Sequence, residues 1–485
     1  MTASSCDLLI VGAGPAGMAA AIEARAAGQS VIVADEGDAP GGQIYRNAAD
    51  SPLADARLLG DDYLAGRALV ERFVQSGARH LARCVVWQVA FEDGIVAMLT
   101  RSAGGSTTGS EGGGTLEVKA SALLIATGAQ ERPWPVRGWT LPGVMGVGAA
   151  QTLVKSAGLA PSQDAVLAGS GPLLWLFASQ LIRAGRGVRA IVDTTPRQAW
   201  KHALPHAVPA LRAADYLLKG MRMMRAVSRA GIPVYRGVAD FSIEGTAQAE
   251  RVRFRDDRNA AHVIETPLVL LHQGVIPSTQ LARSLGCAHE WDTRSACWRP
   301  RTDAWGRSSV DMVWIAGDGA GIGGANAAAH AGTLAALDIA RRLDAIDDAA
   351  KDARSRPALR ALSRHLAVRP LLDALYTPPD ALRRPADDVV VCRCEEVTAG
   401  EIRRIAALGC QGPNQMKAFS RCGMGPCQGR WCGMTVGELI AQVQARSVED
   451  IGYYRIRAPI KPVTVEQLAE SIALDEDFSR GDFPS

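Results

Sequence analysis

The sequence lacks any apolar run approaching the roughly 18 residues that would nominate a membrane-spanning helix, and Met1 to Asp7 carry neither a basic leader nor a cleavage site. A cytoplasmic chain with no transmembrane segment is the expectation. A dominant charge is missing too. Against 53 Lys and Arg stand 50 Asp and Glu, and a net +3 gives no field that would draw nucleic acid or an anionic membrane as natural partner. The 47% hydrophobic and 21% charged content of the 485 residues excludes disorder and simple repeats, and the length fits about three domains of ordinary size. Cysteine is scarce, ten in all, yet five fall at positions 392, 394, 422, 427 and 432. In a reducing compartment such a group holds a metal or cluster more readily than it forms disulfides.

Asp7 to Val11 reads as a short apolar strand, Gly12-Ala13-Gly14-Pro15-Ala16-Gly17 as a turn, Met18 to Ala27 as an Ala-rich helix closed by Gly28, and Ser30 to Ala34 as a second strand. That strand ends at Asp35 and Glu36. Asp35 lies 18 residues beyond the third glycine, the layout of an adenine-dinucleotide site. Gly12 permits the tight turn, Gly14 lets backbone approach a pyrophosphate, and Gly17 lets the helix pack on the strand with its positive N-terminus toward the phosphates. Asp35 would accept hydrogen bonds from the ribose hydroxyls. A glycine triplet alone also serves as a packing turn; strand, helix and acid together carry the functional reading.

Three later turns narrow the choice of dinucleotide. Pro40-Gly41-Gly42-Gln43 follows the second strand, Ala126-Thr127-Gly128 closes a strand from Ala122, and Ala316-Gly317-Asp318 closes one from Val313. In this order they resemble the flavoproteins with two dinucleotide domains. The resemblance implies FAD in the first site, with Thr127 in the turn that closes its domain and Asp318 on the ribitol chain. Gly319 to Leu337 reads as a small-residue helix whose start, Gly324 and Ala325, approaches the flavin or the pyrophosphate.

A second unit of the same kind runs from Ala165 through Gly169-Ser170-Gly171-Pro172-Leu173-Leu174 to a strand ending at Asp193. Leu174 replaces the third glycine and should push the helix away and disturb a pyrophosphate seat. A retained structural domain without NAD is the expectation. Residues 41–60 and 135–160 contain no cysteine, which excludes the dithiol mechanism of disulfide reductases of this fold. Cys84, Cys287 and Cys297 read as buried apolar residues. None of the histidines, His272, His330 and His365 included, lies in a motif with a partner carboxylate, so no catalytic acid or base is assigned.

After a helical, Arg-rich connector comes Val389 to Thr398, a strand entering a turn through Cys392 and Cys394, with Thr398 as N-cap of a helix reaching Leu408. Further on, Cys427 and Cys432 lead into an apolar helix, Thr435 to Val443. The pattern is Cys-x-Cys, 32 intervening residues, then Cys-x4-Cys. Four thiolates from two short loops can enclose a 2Fe-2S cluster near a helix start; structural zinc and unliganded thiols are the competing readings. Cys422 and Cys427 repeat the spacing of Cys427 and Cys432, so spacing alone leaves the ligand set open.

The segment around residues 389–445 is similar to the bacterioferritin-associated-ferredoxin-like (BFD-like) 2Fe-2S domain. That resemblance implies Cys392, Cys394, Cys427 and Cys432 as ligands and leaves Cys410 and Cys422 spare. Nearly the whole chain resembles the FAD-bearing alpha subunits of heteromeric, dye-linked amino-acid and imino-acid dehydrogenases, a group with opine oxidases, hydroxyproline and proline dehydrogenases and hydrogen cyanide synthase. The residues that carry it are Pro40 to Arg46, with Gly42, Gln43 and Arg46 at the flavin; Ala126 to Gly128; Gly169 to Leu174; Gly317 and Asp318; Cys392 to Glu396; and the tail Arg455 to Pro462. The expected fold class is α/β, with two Rossmann-like domains of the glutathione-reductase-like type and a small α-rich 2Fe-2S domain. The expected boundaries are 1–134 with 296–345 for FAD, 135–295 for the second domain, 346–388 for the linker, 389–450 for the cluster domain and 451–485 for the tail.

The resemblance implies an electron-transferring subunit of a hetero-oligomeric oxidoreductase acting on an amino acid, imino acid or opine. Its partner is an FAD-containing beta subunit that binds the substrate, with room for a small additional subunit. FAD, or only an adenine nucleotide, fills the first site, FMN sits at a subunit interface, and the electron acceptor is where the chain would meet the inner membrane. A flavin is the natural link between a two-electron donor and a one-electron cluster. The rival readings are an NAD(P)H-dependent reductase of an iron-sulfur acceptor and a scaffold with a non-redox metal.

Overall fold

The computed structural model describes residues 3–102 and 114–472. β1 (Ala3–Val11), α1 (Pro15–Ala26) and β2 (Val31–Ala34) follow the expected strand-turn-helix-strand order. Then come α2 (Asp61–Gln75), β3 (Arg79–Leu81), the hairpin β4 (Cys84–Glu92) and β5 (Gly94–Arg101), and the long β6 (Gly114–Ile125). The sheet order is β3-β2-β1-β6-β5-β4, with β1 parallel to both β2 and β6. Leu8 and Ile10 enter one core while Leu9 and Val11 enter another. Both faces of β1 are therefore covered over Leu8 to Val11, and that stretch is apolar throughout rather than alternating.

β7 (Ala129–Glu131) leaves this sheet toward the second domain, which contains β8 (Val144–Gly146), α3 (Val147–Ala157), β9 (Ala165–Ser170), α4 (Pro172–Arg183) and β10 (Val188–Asp193). The helices α5 (Ala199–Ala203), α6 (Ala207–Ala210) and α7 (Ala214–Arg229) precede β11 (Val234–Arg236). An antiparallel sheet of β12 (Ala239–Glu244), β13 (Arg251–Arg255) and β14 (Ala261–Glu265) follows, then β15 (Val269–Gln273). The domain's sheet is β11-β10-β9-β15-β8, all parallel. β16 (Val275–Pro277) pairs back on β7, α8 (Gln280–Ser284) follows, and β17 (His289–Asp292) with β18 (Cys297–Pro300) forms a hairpin.

β19 (Val313–Ile315) returns to the first sheet beside β6. The helix expected from Gly319 begins only at α9 (Ala325–Arg342). The cause is Asp318, whose Oδ1 accepts from the Gly323 and Gly324 N–H groups at 2.8 and 2.9 Å and holds the glycine-rich stretch as a loop. Asp338, wholly buried on α9, accepts from Arg307 at 2.5 Å, Lys351 at 2.6 Å and Trp314 Nε1 at 2.9 Å. The connector is helical as expected, with α10 (Asp348–Leu366), α11 (Arg369–Leu375) and α12 (Asp380–Arg383).

The C-terminal module holds the β20 (Val390–Cys392) and β21 (Val397–Thr398) hairpin, then α13 (Ala399–Ala407), α14 (Pro413–Ser420), α15 (Gly433–Gln444), α16 (Val448–Ile451) and α17 (Val465–Ile472). Thr398 caps α13 as expected, accepting from Glu401 N–H at 3.3 Å. One face of the first sheet and this module share a continuous core, from Leu9 and Ile125 through Leu281 and Cys287 to Ile402, Leu439 and Tyr454. Among the described residues no helix is long and apolar enough to cross a membrane.

Candidate functional site

At the end of β1 the chain turns at Gly12. Its φ of +108° and its approach to Ala126, whose carbonyl oxygen would stand 2.4 Å from a Cβ at this position, admit only glycine. A Cβ on Gly17 would lie 1.9 Å from Gly12 O, so the third glycine is what lets α1 close on the turn. α1 starts with Gly14 as N-cap and no side-chain cap, with Pro15 at its first position. Its first-turn N–H groups are thus left for a ligand, as a phosphate seat requires. Asp35 Oδ2 accepts from Ala13 N–H at 2.6 Å and Oδ1 from Gly37 N–H at 2.7 Å, tying the acid at the end of β2 to the glycine loop. Glu36 pairs with Lys461 of the tail at 2.8 Å.

The later motifs converge on this turn. A Cβ on Gly42 would meet Gly14 Cα at 2.8 Å, one on Gly317 would meet Ala16 Cβ at 2.8 Å, and one on Gly319 would sit 3.4 Å from Gly128 O. Thr127 Oγ1 donates to Ser278 O at 3.3 Å. Gly324, with no side-chain cap, opens α9 at Ala325, so a second helix start joins that of α1. Gln43 and Arg46 occupy the adjoining loop, where Arg46 O accepts from Tyr63 at 2.7 Å. The turns at Gly42, Ala126 to Gly128 and Gly317 thus share one neighbourhood with Gly12 to Gly17, and the close backbone approaches and uncapped helix starts there fit a dinucleotide.

Sequence reasoning missed Lys155. This buried side chain on α3 donates to Gln43 O and Gln151 Oε1, both at 3.0 Å. Burial, aided by Arg46, lowers it to about 7. It missed as well that His272 has a carboxylate partner: its Nδ1 lies 2.6 Å from Glu131 Oε1, across 141 residues of chain. That imidazole flanks Gly171 of the second glycine loop, its Nε2 being 3.3 Å from where a Cβ would stand. Leu174 is wholly buried in the core. Asp193, the acid expected at the end of β10, is buried and its carboxyl raised by that burial. His330 and His365 stack at 5.6 Å, and Tyr216 bonds His365 Nδ1 at 2.9 Å.

The cysteine centre is built by two loops. β20 delivers Cys392, and the turn before β21, with Glu396 at φ +55°, delivers Cys394. α14 ends on Arg421 in the left-handed region, presenting Cys422, and Cys432 is the N-cap of α15. The Sγ atoms of Cys392, Cys422 and Cys432 lie within 4.8 Å of one another. Hydrogen bonds from Cys422 and then Cys432 hold the Cys392 thiol far below its usual range. Cys394 is paired with Cys427 by side-chain and backbone hydrogen bonds. The first group is buried, whereas Cys394 is exposed and Cys427 partly so. Cys410 lies apart, its thiol donating to Gly412 O at 3.4 Å.

Tyr454, which sequence reasoning did not single out, organises this loop. Its hydroxyl donates to Cys422 O at 3.0 Å and lies 3.6 Å from Cys422 Sγ and 3.9 Å from Cys432 Sγ. A Cβ on either Gly423 or Gly429 would stand 2.4 Å from its ring, and one on Gly425 would stand 2.2 Å from Cys394 Cβ. The glycines between the cysteines are the readable trace of that ring. A 2Fe-2S cluster takes two thiolates per iron, and the pairs Cys392 with Cys432 and Cys394 with Cys427 fit that demand. Cys422 is a third thiol beside the buried pair.

The family described as pyridine nucleotide-disulphide oxidoreductase matches residues 6–336, a match that implies FAD binding, and that described as sarcosine oxidase A3 domain matches residues 388–471. The A component of opine oxidase from Rhizobium meliloti is 45% identical, over 96% of this chain and 87% of that one. Hydrogen cyanide synthase subunit HcnB of Pseudomonas aeruginosa is 33% identical, over 94% and 96%. The crystal structure of L-proline dehydrogenase from P. horikoshii shares the fold, with a TM-score of 0.67 over 96% of this chain and 80% of that chain at 18% identity. The chain is therefore an oxidoreductase that belongs to the pyridine nucleotide-disulphide oxidoreductase family, in the group of the opine oxidase A and HcnB subunits.

Proposed function

We propose that this chain is the electron-transferring subunit of a heteromeric dehydrogenase that oxidises a CH–NH bond in an amino acid, imino acid or opine. FAD occupies the first dinucleotide seat and a 2Fe-2S cluster the cysteine centre. The observation that carries this reading is the contact between the two sites. Gln130, two residues past the Ala126-Thr127-Gly128 turn, donates to Arg430 O at 3.1 Å, and Gln280 donates to Gln428 O at 3.4 Å. Residues 428 and 430 lie between Cys427 and Cys432, so the loop carrying two proposed ligands rests on the segments that frame the flavin seat.

When bound, FAD supplies two-electron acceptance and the cluster one-electron acceptance. The chain's own residues supply placement. Gly12, Gly14 and Gly17 would admit the pyrophosphate, Asp35 would accept from the ribose hydroxyls, and Asp318 holds the loop at the start of α9. Cys392 and Cys432 offer a buried pair of thiolates, and Cys394 and Cys427 offer a pair near the surface, the side on which an external acceptor docks. No acid-base group is assigned to substrate chemistry in this chain. That task, and an FMN at the interface, fall to a partner subunit, in keeping with the subunit names of the relatives.

The second seat is read as structural. Leu174 fills the place of the third glycine, and the hydroxyl of Tyr376 in the connector is pushed up to about 12 by burial and then by the charge of Asp193, the acid that a ribose would need. The test is purification of the native complex with flavin, iron and acid-labile sulfide analysis, and visible and EPR spectra before and after dithionite. Bound FAD with a reducible cluster is expected. A colourless zinc protein overturns the reading, and rapid anaerobic bleaching by NADH would favour an NAD(P)H-dependent reductase instead.

A further inference from the structure

The cysteine centre offers five thiols where a 2Fe-2S cluster takes four. The surplus is on one side only. Around the buried position Cys392, Cys422 and Cys432 bring their sulfurs within 4.8 Å of one another, while Cys394 and Cys427 stand as a simple pair. Cys422 is not a thiol that merely fills space. It is wholly buried, its backbone is fixed by Tyr454 through the 3.0 Å bond to its carbonyl, and the same hydroxyl reaches both Cys422 and Cys432 sulfurs. Cys392 lies within that 4.8 Å of Cys422 and of Cys432 alike. In sequence the two surplus-side residues flank Cys427 at equal distance, with four residues on each side.

We infer that Cys422 is a reserve ligand for the buried iron, interchangeable with Cys432, and that the surface iron has no such reserve. The inference rests on the 2Fe-2S reading of the centre. In the exchange an Fe–Sγ bond to Cys422 replaces that to Cys432. The Cys422 thiol gives up its proton as it binds and the freed Cys432 thiolate takes one up, so cluster charge and oxidation state are unchanged. Tyr454 serves either arrangement, because its hydroxyl lies within 4 Å of both sulfurs.

The experiment uses the full chain with its co-expressed partner, iron and acid-labile sulfide analysis, and visible circular dichroism and EPR of the dithionite-reduced state. Cys422→Ala and Cys432→Ala are each expected to keep iron and sulfide at the parental ratio, the second with shifted g-values, whereas the double variant loses the cluster. Cys394→Ala and Cys427→Ala lose it as single changes. Loss of the cluster in Cys432→Ala as complete as in the double variant would overturn the inference. Should Cys432→Ala fail to accumulate, Cys432→Ser keeps the size of the site, and FAD content reports that the rest of the chain has folded. A parent protein without iron and sulfide would refute the cluster reading itself, a result distinct from any difference among the variants.

Discussion

Lys155 donates to two amide oxygens in the core, and among the described residues no carboxylate pairs with it. Between about pH 7 and the ordinary lysine value of 10.5, the unfolded chain holds a proton there that the folded chain has released. Stability from this group therefore rises with pH across that window, at about 1.4 kcal/mol per unit. Lys155→Met is expected to be more stable than the parent near pH 7 and to lose that advantage toward pH 10, which urea denaturation at a series of pH values will measure. A pH-independent difference would count against the assignment. Gly17→Ala is expected to lower FAD content tenfold or more, a penalty above about 1.4 kcal/mol, because its Cβ would strike Gly12 O; absorbance at the flavin band per protein checks it. The contrast explains what was legible. Gly17 works on the backbone of Gly12, and Asp35 works on Gly37 and on Ala13 at the other end of one strand-helix-strand unit, so both are readable from spacing, whereas Lys155 meets Gln43 across 112 residues and leaves no local pattern.

At the scale of elements, Asp338 joins three of them. It sits on α9, receives Lys351 from α10 and Trp314 from β19, and is closed by Arg307. Asp338→Ala strands the Lys351 ammonium and the Trp314 indole N–H in a nearly dry site, while the half-exposed Arg307 can turn to solvent, and a loss of about 3 kcal/mol is expected on denaturant unfolding of the FAD-loaded chain. The N-cap of α13 is more modest: Thr398→Ala should cost about 1 kcal/mol. A change in midpoint below the error of measurement would show that the cap is redundant. The strands and helices of the first unit, α4, α13 and α15 were readable because apolar periodicity and caps act within each element. The late start of α9 was not, since a small-residue run is helix-permissive and only the Asp318 carboxylate, bonded to Gly323 and Gly324, decides where the helix begins.

For the whole molecule, the two dinucleotide-type sheets and the C-terminal module were legible in order, but their docking was not. The apolar run Leu8 to Val11 at the end of β1 says that both faces are covered there and cannot say by what. One covering turns out to be a core continuous with the cysteine module. If Gln130 and Gln280 clamp that module, replacing both with Ala should speed chelator-driven iron loss about thirtyfold, two hydrogen bonds of about 1 kcal/mol each being removed, while FAD content stays at the parental level. An unchanged rate of iron loss would mean that the clamp is not felt at the cluster.

The same clamp has a bearing on how such a chain can drift. Gln130 and Gln280 grip carbonyl oxygens of residues 430 and 428. In the other direction Gln428 reaches Pro459 O at 2.5 Å and Arg430 reaches Ile460 O. Every one of these contacts reads main chain on its accepting side, and an amide oxygen is present whatever the residue. Each contact therefore constrains one amino acid identity where a side-chain pair would constrain two. A substitution on the accepting side needs no matching change across the junction, provided that the left-handed turn at Gln428 and Gly429, φ 49° and 80°, keeps the carbonyls where they are.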